Sequence, residues 1–250
     1  SAVKTDRSAK VAVISGRYPA TEFPSPENHR YYCERHRYYY IHCNWPTGAR
    51  NPYFNKIGFL RAYAELFDFL VWVDDDAFFV DFDRSLDSLL PSQDSFLSIC
   101  RSPDFKALHT FVSSGSFVLR CDTRGRNFLR QLERVDLDVV QRWWRDDFGF
   151  FTHGDQDAFV YLLHSQSEYG AFDHLPYDRF NSRIENVEAG EDVFLLHLTG
   201  RPPVKREAHR RAQRYLDRGP ALLPTSEGGH YQAPPSRWRR LARRMSRWVK

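Results

Sequence analysis

The chain has 250 residues, of which 42% are hydrophobic and 16% aromatic, enough for a sizeable core and too much for global disorder. No run of 18 apolar residues and no signal-peptide pattern is present, so no membrane-spanning segment is expected in this sequence. The net charge of +4 is unevenly placed. Residues 237–250 hold six Arg and one Lys with no acid, leaving 29 basic and 32 acidic residues, net −3, in the remainder. A slightly acidic body of this kind argues against general nucleic-acid binding.

In chain order, residues 1–10 are polar and read as a lead-in. Val11-Ala12-Val13-Ile14 is a short buried strand ending at Ser15-Gly16-Arg17, a place where a nucleotide's backbone can approach. Residues 18–26 are Pro-rich and read as loop. Asn28 is expected to cap a helix through His36, and residues 38–43 form the second strand. After a loop over 44–52, Tyr53, Ile57, Leu60, Ala64 and Phe67 recur at spacings of 4, 3, 4 and 3, predicting a helix flanked by Lys56 and Arg61. Those two cations either snorkel at its edge or reach a phosphate.

Next comes Phe69-Leu70-Val71-Trp72-Val73, an apolar run that ends in Asp74-Asp75-Asp76. Open α/β sheets bind ligands at the carboxyl ends of their strands. Side chains alternate along an extended chain, so Asp74 and Asp76 point one way and Asp75 the other. Two carboxylates on one face repel unless a proton or cation separates them, and hard divalent cations with oxygen ligands suit that geometry.

Beyond this stretch, residues 81–90 read as a short helix or turn, and 95–100 as a strand. The small-residue loop 113–116 feeds a strand over 117–120. Asp122 is expected to cap a helix carrying Phe128, Leu129, Leu132 and Val135. Residues 138–145 suggest another helix, whose Trp143 and Trp144 either form an acceptor platform or pack. Residues 152–157 open a helix through Leu163, where Asp155 is a candidate N-cap, and 193–198 form a late strand holding His197. His197 is the natural third metal ligand, and manganese tolerates such a mixed nitrogen and oxygen set. Alternating strands and helices predict an α/β fold with a mainly parallel sheet flanked by helices. Cys33, Cys43, Cys100 and Cys121 have no C-x-x-C spacing, which argues against structural zinc and fits reduced thiols.

Residues 1–218 are expected to form one domain and 219–235 a linker. In residues 236–250, Trp238, Leu241, Met245 and Trp248 lie at spacings of 3, 4 and 3 with arginines on the other face. That pattern predicts a basic amphipathic helix suited to an anionic membrane surface.

The ordered motifs Asn28-x-x-x-Tyr32-Cys33, Lys56, Trp72-x-Asp74-Asp75-Asp76-Ala77-x-Phe79, Ser114-Gly115-Ser116-Phe117-x-x-Arg120, Asp155-Gln156-x-Ala158 and His197-x-x-Gly200 span residues 11–205. Together they resemble the retaining galactosyl-, mannosyl- and xylosyltransferase family of the plant xyloglucan xylosyltransferases and fungal mannan enzymes. The resemblance implies a GT-A fold, a nucleotide-sugar donor and Mn2+ or Mg2+ held by Asp74, Asp76 and His197. It puts Asp155 and Gln156 beside the anomeric centre. Ser15, Gly16, Arg17, Lys56, Asp75, Ser114 and Gly115 are candidate donor contacts. In the family a lysine closely follows His-x-x-Gly. Here Arg201, Pro202 and Pro203 stand there, so diphosphate contact passes to Arg201 or Lys205.

The expected activity is sugar transfer to a glycan or glycolipid, from UDP-galactose first, then UDP-glucose, UDP-xylose or GDP-mannose. A bacterial enzyme held on the cytoplasmic face of the plasma membrane by its C-terminal helix fits this reading; the Golgi lumen is the alternative for a chain preceded by an anchor. Two competing readings are a nucleotidyltransferase on the same kind of sheet and a non-enzymatic, membrane-associated glycan-binding module.

Overall fold

The computed structural model describes residues 9–49, 51–103, 109–165 and 170–224. In chain order the elements are β1 (Val11–Gly16), α1 (Ser25–His36), β2 (Tyr39–Cys43), α2 (Asn55–Tyr63), β3 (Phe69–Val73), β4 (Ala77–Phe79), β5 (Ser95–Cys100), β6 (Ser116–Arg120) and α3 (Thr123–Leu132). There follow α4 (Leu137–Trp143), α5 (Asp155–Ser165), β7 (Ala171–Leu175), α6 (Tyr177–Phe180), α7 (Ile184–Glu188), β8 (Leu195–His197) and α8 (Pro202–Leu216).

Six strands form one sheet in the order β2-β1-β3-β6-β5-β7, and β4 pairs with β8 in a separate ribbon. The pairings of β1 with β2, β1 with β3 and β5 with β7 are parallel, and β6 runs against both of its neighbours. The mainly parallel α/β sheet expected from the sequence is therefore present.

Its central strands are apolar on both faces because both faces are covered. Along β1 and β3, Ala12, Ile14, Leu70 and Trp72 join a core with Ile57, Phe59 and Leu60 of α2, Phe128 of α3 and Phe159 of α5. The alternate residues Val11, Val13, Phe69, Val71 and Val73 pack with Tyr32 and Cys33 of α1 and with Phe79. A third cluster under α8 gathers Phe23, Phe78, Leu196, Ala208, Ala212 and Leu222. All four cysteines are buried free thiols. No helix among the described residues is long and apolar enough to cross a membrane.

Several local expectations shift. Helix α1 starts at Ser25, with Pro26 in its first turn, so Asn28 is an interior residue and not its cap. Asn28 instead grips the β4 backbone: Nδ2 donates to Phe79 O (3.0 Å) and Oδ1 accepts from Phe79 N (2.7 Å). Tyr53 begins the predicted apolar stripe yet is 64% exposed on a 3-10 turn before α2. Trp143 and Trp144 pack on Phe148, so they serve the core as the second of their two readings had it. Residues 219–224 lie against the body, where Leu222 is fully buried and Ala221 O accepts a second bond from Asn28. The rest of the expected linker and the basic helix over 236–250 lie outside the described residues.

Candidate metal and donor site

Chain topology places the site. From β1 the chain passes to β2 on one side and then returns to β3 on the other, so the carboxyl ends of β1 and β3 form a switch point where a crevice opens. The acids follow β3 directly. They occupy a tight turn, not the strand itself, closed by the bond from Ala77 N to Asp74 O (3.0 Å). Even so, Asp74 and Asp76 converge while Asp75 turns away, the grouping that strand alternation anticipated.

His197 arrives through the ribbon. Strand β4 starts immediately after Asp76, and its Ala77 pairs directly with His197 of β8. Leu198 N also donates to Asp76 O (3.0 Å). His197 Nε2 consequently stands 3.2 Å from Asp76 Oδ1 and 3.7 Å from Asp74 Oδ2. Ligand atoms of the three residues all lie within 4.8 Å of one another. Two donors at right angles on a cation about 2.1 Å away stand about 3.0 Å apart, so these spacings suit one small divalent ion.

The hydrogen bonds support the fit. His197 Nδ1 lies 2.8 Å from Asn181 Oδ1. Nε2 on the other side of the ring faces the carboxylate oxygens of Asp76 and Asp74, a place for a proton or a cation between them. Lys205 of α8 also pairs with Asp76. Burial works to raise the Asp76 carboxyl, but a proton shared with His197 and the charge of Lys205 outweigh it and hold Asp76 well below the usual range.

Lys56 forms the other wall. Its Nζ reaches Asp155 Oδ2 at 2.9 Å and Asp74 Oδ1 at 3.2 Å, and donates to Ser114 O at 2.8 Å. Burial disfavours its charge, yet Asp155 and Asp74 prevail and push it up to about 12. Burial raises Asp155 despite Lys56. Asp155 is the first residue of α5. Asp157 in the same turn accepts from Thr152 N (2.9 Å) and Gly154 N (3.2 Å), tying the preceding loop to the helix start. Gln156 is fixed between Ser114 N (3.2 Å to Oε1) and Thr110 Oγ1 (3.0 Å from Nε2).

Asp75 looks toward β1. Burial and then the repulsion of Asp76 push its carboxyl up to about 7, against Thr21 and Arg17. Its Oδ2 and Ser15 Oγ are buried without hydrogen-bond partners. Gly16 has a structural reason of its own, since a Cβ there would meet Cys43 O at 1.9 Å. Arg17 and Arg201 are exposed at the ends of β1 and the start of α8. Arg61, in contrast, pairs with Glu133 away from the site.

Nine of the expected residues thus form one connected cluster: Asp74, Asp76, His197, Lys205, Lys56, Ser114, Gly115, Asp155 and Gln156. Within it, three carboxylates, Asp74, Asp76 and Asp155, are paired with two ammonium groups, Lys56 and Lys205. A cavity of about 310 Å³ adjoins it, lined by Arg183, His197, Thr199, Pro203, Glu207 and Arg211.

Three contributors went unassigned in the sequence. Trp72 Nε1 donates to Asp74 Oδ1 at 2.6 Å, a pairing that its i, i+2 spacing from Asp74 could have signalled. Asn181 and Thr110 carried no local signal.

No family model matches the sequence, and no curated protein does. Among solved structures, the chain is similar to a glycosyltransferase involved in the glycosylation of the major capsid of PBCV-1. That protein is 12% identical, with 80% of this chain and 98% of that one covered at a TM-score of 0.60. A second, the glycosyltransferase GlyE of Streptococcus pneumoniae TIGR4, is 15% identical over 77% of this chain and 56% of that one, at a TM-score of 0.48. The first likeness establishes the fold as the GT-A type.

Proposed function

We propose that the chain is a metal-dependent retaining glycosyltransferase that moves a sugar from a nucleotide diphosphate donor to a glycan or glycolipid acceptor. The observation that carries this reading is the convergence of Asp74, Asp76 and His197 next to the Lys56–Asp155 pair, at the switch point of a GT-A sheet. UDP-galactose is the first donor, ahead of UDP-glucose, UDP-xylose and GDP-mannose.

Asp74, Asp76 and His197 would hold Mn2+ or Mg2+, which supplies Lewis-acid neutralisation of the leaving diphosphate. Lys205 adds positive charge at the same place, with Arg201 one turn earlier. Helix α8 begins with Pro202 and Pro203, which have no N–H, so side chains and not the helix terminus supply anion contacts here. Asp75 and Ser15 offer acceptors and donors to the nucleoside hydroxyls.

As the C1–O bond breaks, its electron pair leaves with the diphosphate and the anomeric carbon gains positive charge. The carboxylate of Asp155 stabilises that charge. Its Oδ2 is tied to Lys56, which suits a group acting through its field and favours same-face attack by the acceptor oxygen over a covalent intermediate. The acceptor's proton then passes to the departing phosphate oxygen. Gly115 keeps the backbone beside the site open.

We further assign residues 236–250 to an anionic membrane surface. Removing them is expected to weaken binding to anionic vesicles while turnover of soluble substrate persists.

The test is a donor screen that follows nucleotide release with and without Mn2+. Metal-dependent UDP release from one UDP-sugar, with the anomeric configuration kept in the product, is the expected result. Pyrophosphate release from a nucleoside triphosphate, or release unaffected by chelator, would contradict it.

A further inference from the structure

His197 has two ring nitrogens, and the ligand role of Nε2 requires that the proton sit on Nδ1. We propose that Arg183 and Asn181 form a positioning relay that fixes this tautomer of His197 and so holds Nε2 open for a cation. The inference rests on the proposed metal site.

The chain of contacts begins deep in the protein. Arg183 is only 6% exposed, and its Nη1 donates to Asn181 Oδ1 at 2.8 Å and also to the Asn181 backbone carbonyl. The same Oδ1 meets His197 Nδ1 at 2.8 Å. One amide oxygen therefore receives two donors. Asn181 Nδ2 is buried with no hydrogen-bond partner. A side chain that strands its own NH2 group has its orientation set by something stronger, and here that is the doubly engaged oxygen. Turned over, the amide would set its NH2 group against a guanidinium N–H and leave Nδ1 facing a donor. The imidazole would then carry its proton on Nε2, pointed at the acids.

The ring has nowhere else to go. Its backbone is locked by His197 N donating to Ser182 O (2.9 Å) and by the pairing with Ala77. On its other side lies Gly115, where even a Cβ would stand 2.7 Å from Nδ1. Because Asn181, Ser182 and Arg183 are consecutive, one short segment anchors both the strand and the tautomer. Partners that orient a metal-ligating histidine in this way typically contribute 10–100-fold to metal affinity.

The test reads the tautomer directly. Two-bond 1H–15N correlation spectra of the full metal-free chain at alkaline pH, with His197 identified by its loss in His197→Gln, are expected to show the proton on Nδ1. Asn181→Leu is expected to mix the tautomers and weaken Mn2+ binding about 10–100-fold. Arg183→Met should move the population toward Nε2–H, whereas Asn181→Asp, which keeps an acceptor, should retain Nδ1–H. A wild-type proton on Nε2, or Mn2+ affinity unchanged in Asn181→Leu, would overturn the relay. If Asn181→Leu does not fold, the wild-type spectrum still decides. Wild-type protein that binds no Mn2+ would remove the metal reading separately, without altering what the tautomer says about the relay.

Discussion

The imidazole of His197 lies so close to Gly115 that a Cβ at that position would stand 2.2 Å from Cε1. The contact follows from pairing on both sides. Ser116 is in register with Val73, which sets Gly115 beside Asp74, and Ala77 is in register with His197. Gly115→Ala is therefore expected to displace the ring, weakening Mn2+ binding at least about 10-fold at a stability cost of about 1–3 kcal/mol. Calorimetric titration together with urea unfolding separates the two effects. Unchanged Mn2+ affinity would show that His197 is not a ligand.

Lys56 bridges the buried carboxylate of Asp155 and the partly exposed one of Asp74. Removing one partner from a buried ionic network leaves uncompensated charge and costs about 3–5 kcal/mol. Lys56→Met should lose stability on that scale in urea unfolding, more than an ordinary surface lysine. Part of the loss should return with Mn2+, since a cation restores charge beside Asp74. A loss below about 1 kcal/mol would mean that the network is well solvated.

His29 supplies a pH dependence of its own. It is fully buried with Nε2 2.8 Å from Ala77 O, and burial pulls its pKa down from 6.5 to about 4. Between pH 6.5 and 4 the unfolded chain therefore binds more protons at this residue than the native one, so stability falls as pH falls through that window. The effect approaches about 3 kcal/mol at the acid end. In His29→Gln, which can still donate to Ala77 O, thermal midpoints measured from pH 7 to 4 should decline less steeply than in wild type. Parallel curves would contradict the assignment.

Asn28 joins three segments by its side chain alone: α1, strand β4 and residues 219–224. Asn28→Ala leaves Phe79 N–H and two carbonyls without their buried partner, and each unmet group costs about 1–3 kcal/mol. Hydrogen exchange should show β4 opening faster, and thermal stability should fall markedly. Retained protection at Phe79 would show that the bond is dispensable.

What the sequence disclosed and what it hid have physical causes. Strands β1, β3 and β6 were legible because burial on both faces makes each largely an apolar run, and β5 because only Ser95 and Ser98 interrupt one. The acidic turn was legible because three charges interrupt such a run at once. By contrast, β7 is an edge strand, only partly buried, and its Phe172-Asp173-His174 has no such run. Strand β4 is three residues long and exists through pairing with residues about 120 positions away in sequence, which no local pattern encodes. Helix α8 was hidden by Pro202-Pro203, which look like loop but are tolerated in a helix's first turn, where N–H groups have no partner anyway. Asn181 acquires its role only when β8 brings His197 beside it.

The central claim is that Asp74, Asp76 and His197 jointly hold one divalent cation. Isothermal titration of the full chain with Mn2+, alone and with UDP, tests it most directly. Wild type is expected to bind a single equivalent more tightly when UDP is present, and Asp76→Asn and His197→Gln are each expected to lose that binding while remaining folded. Binding of Mn2+ that persists undiminished in both variants, or none in wild type, would contradict the claim.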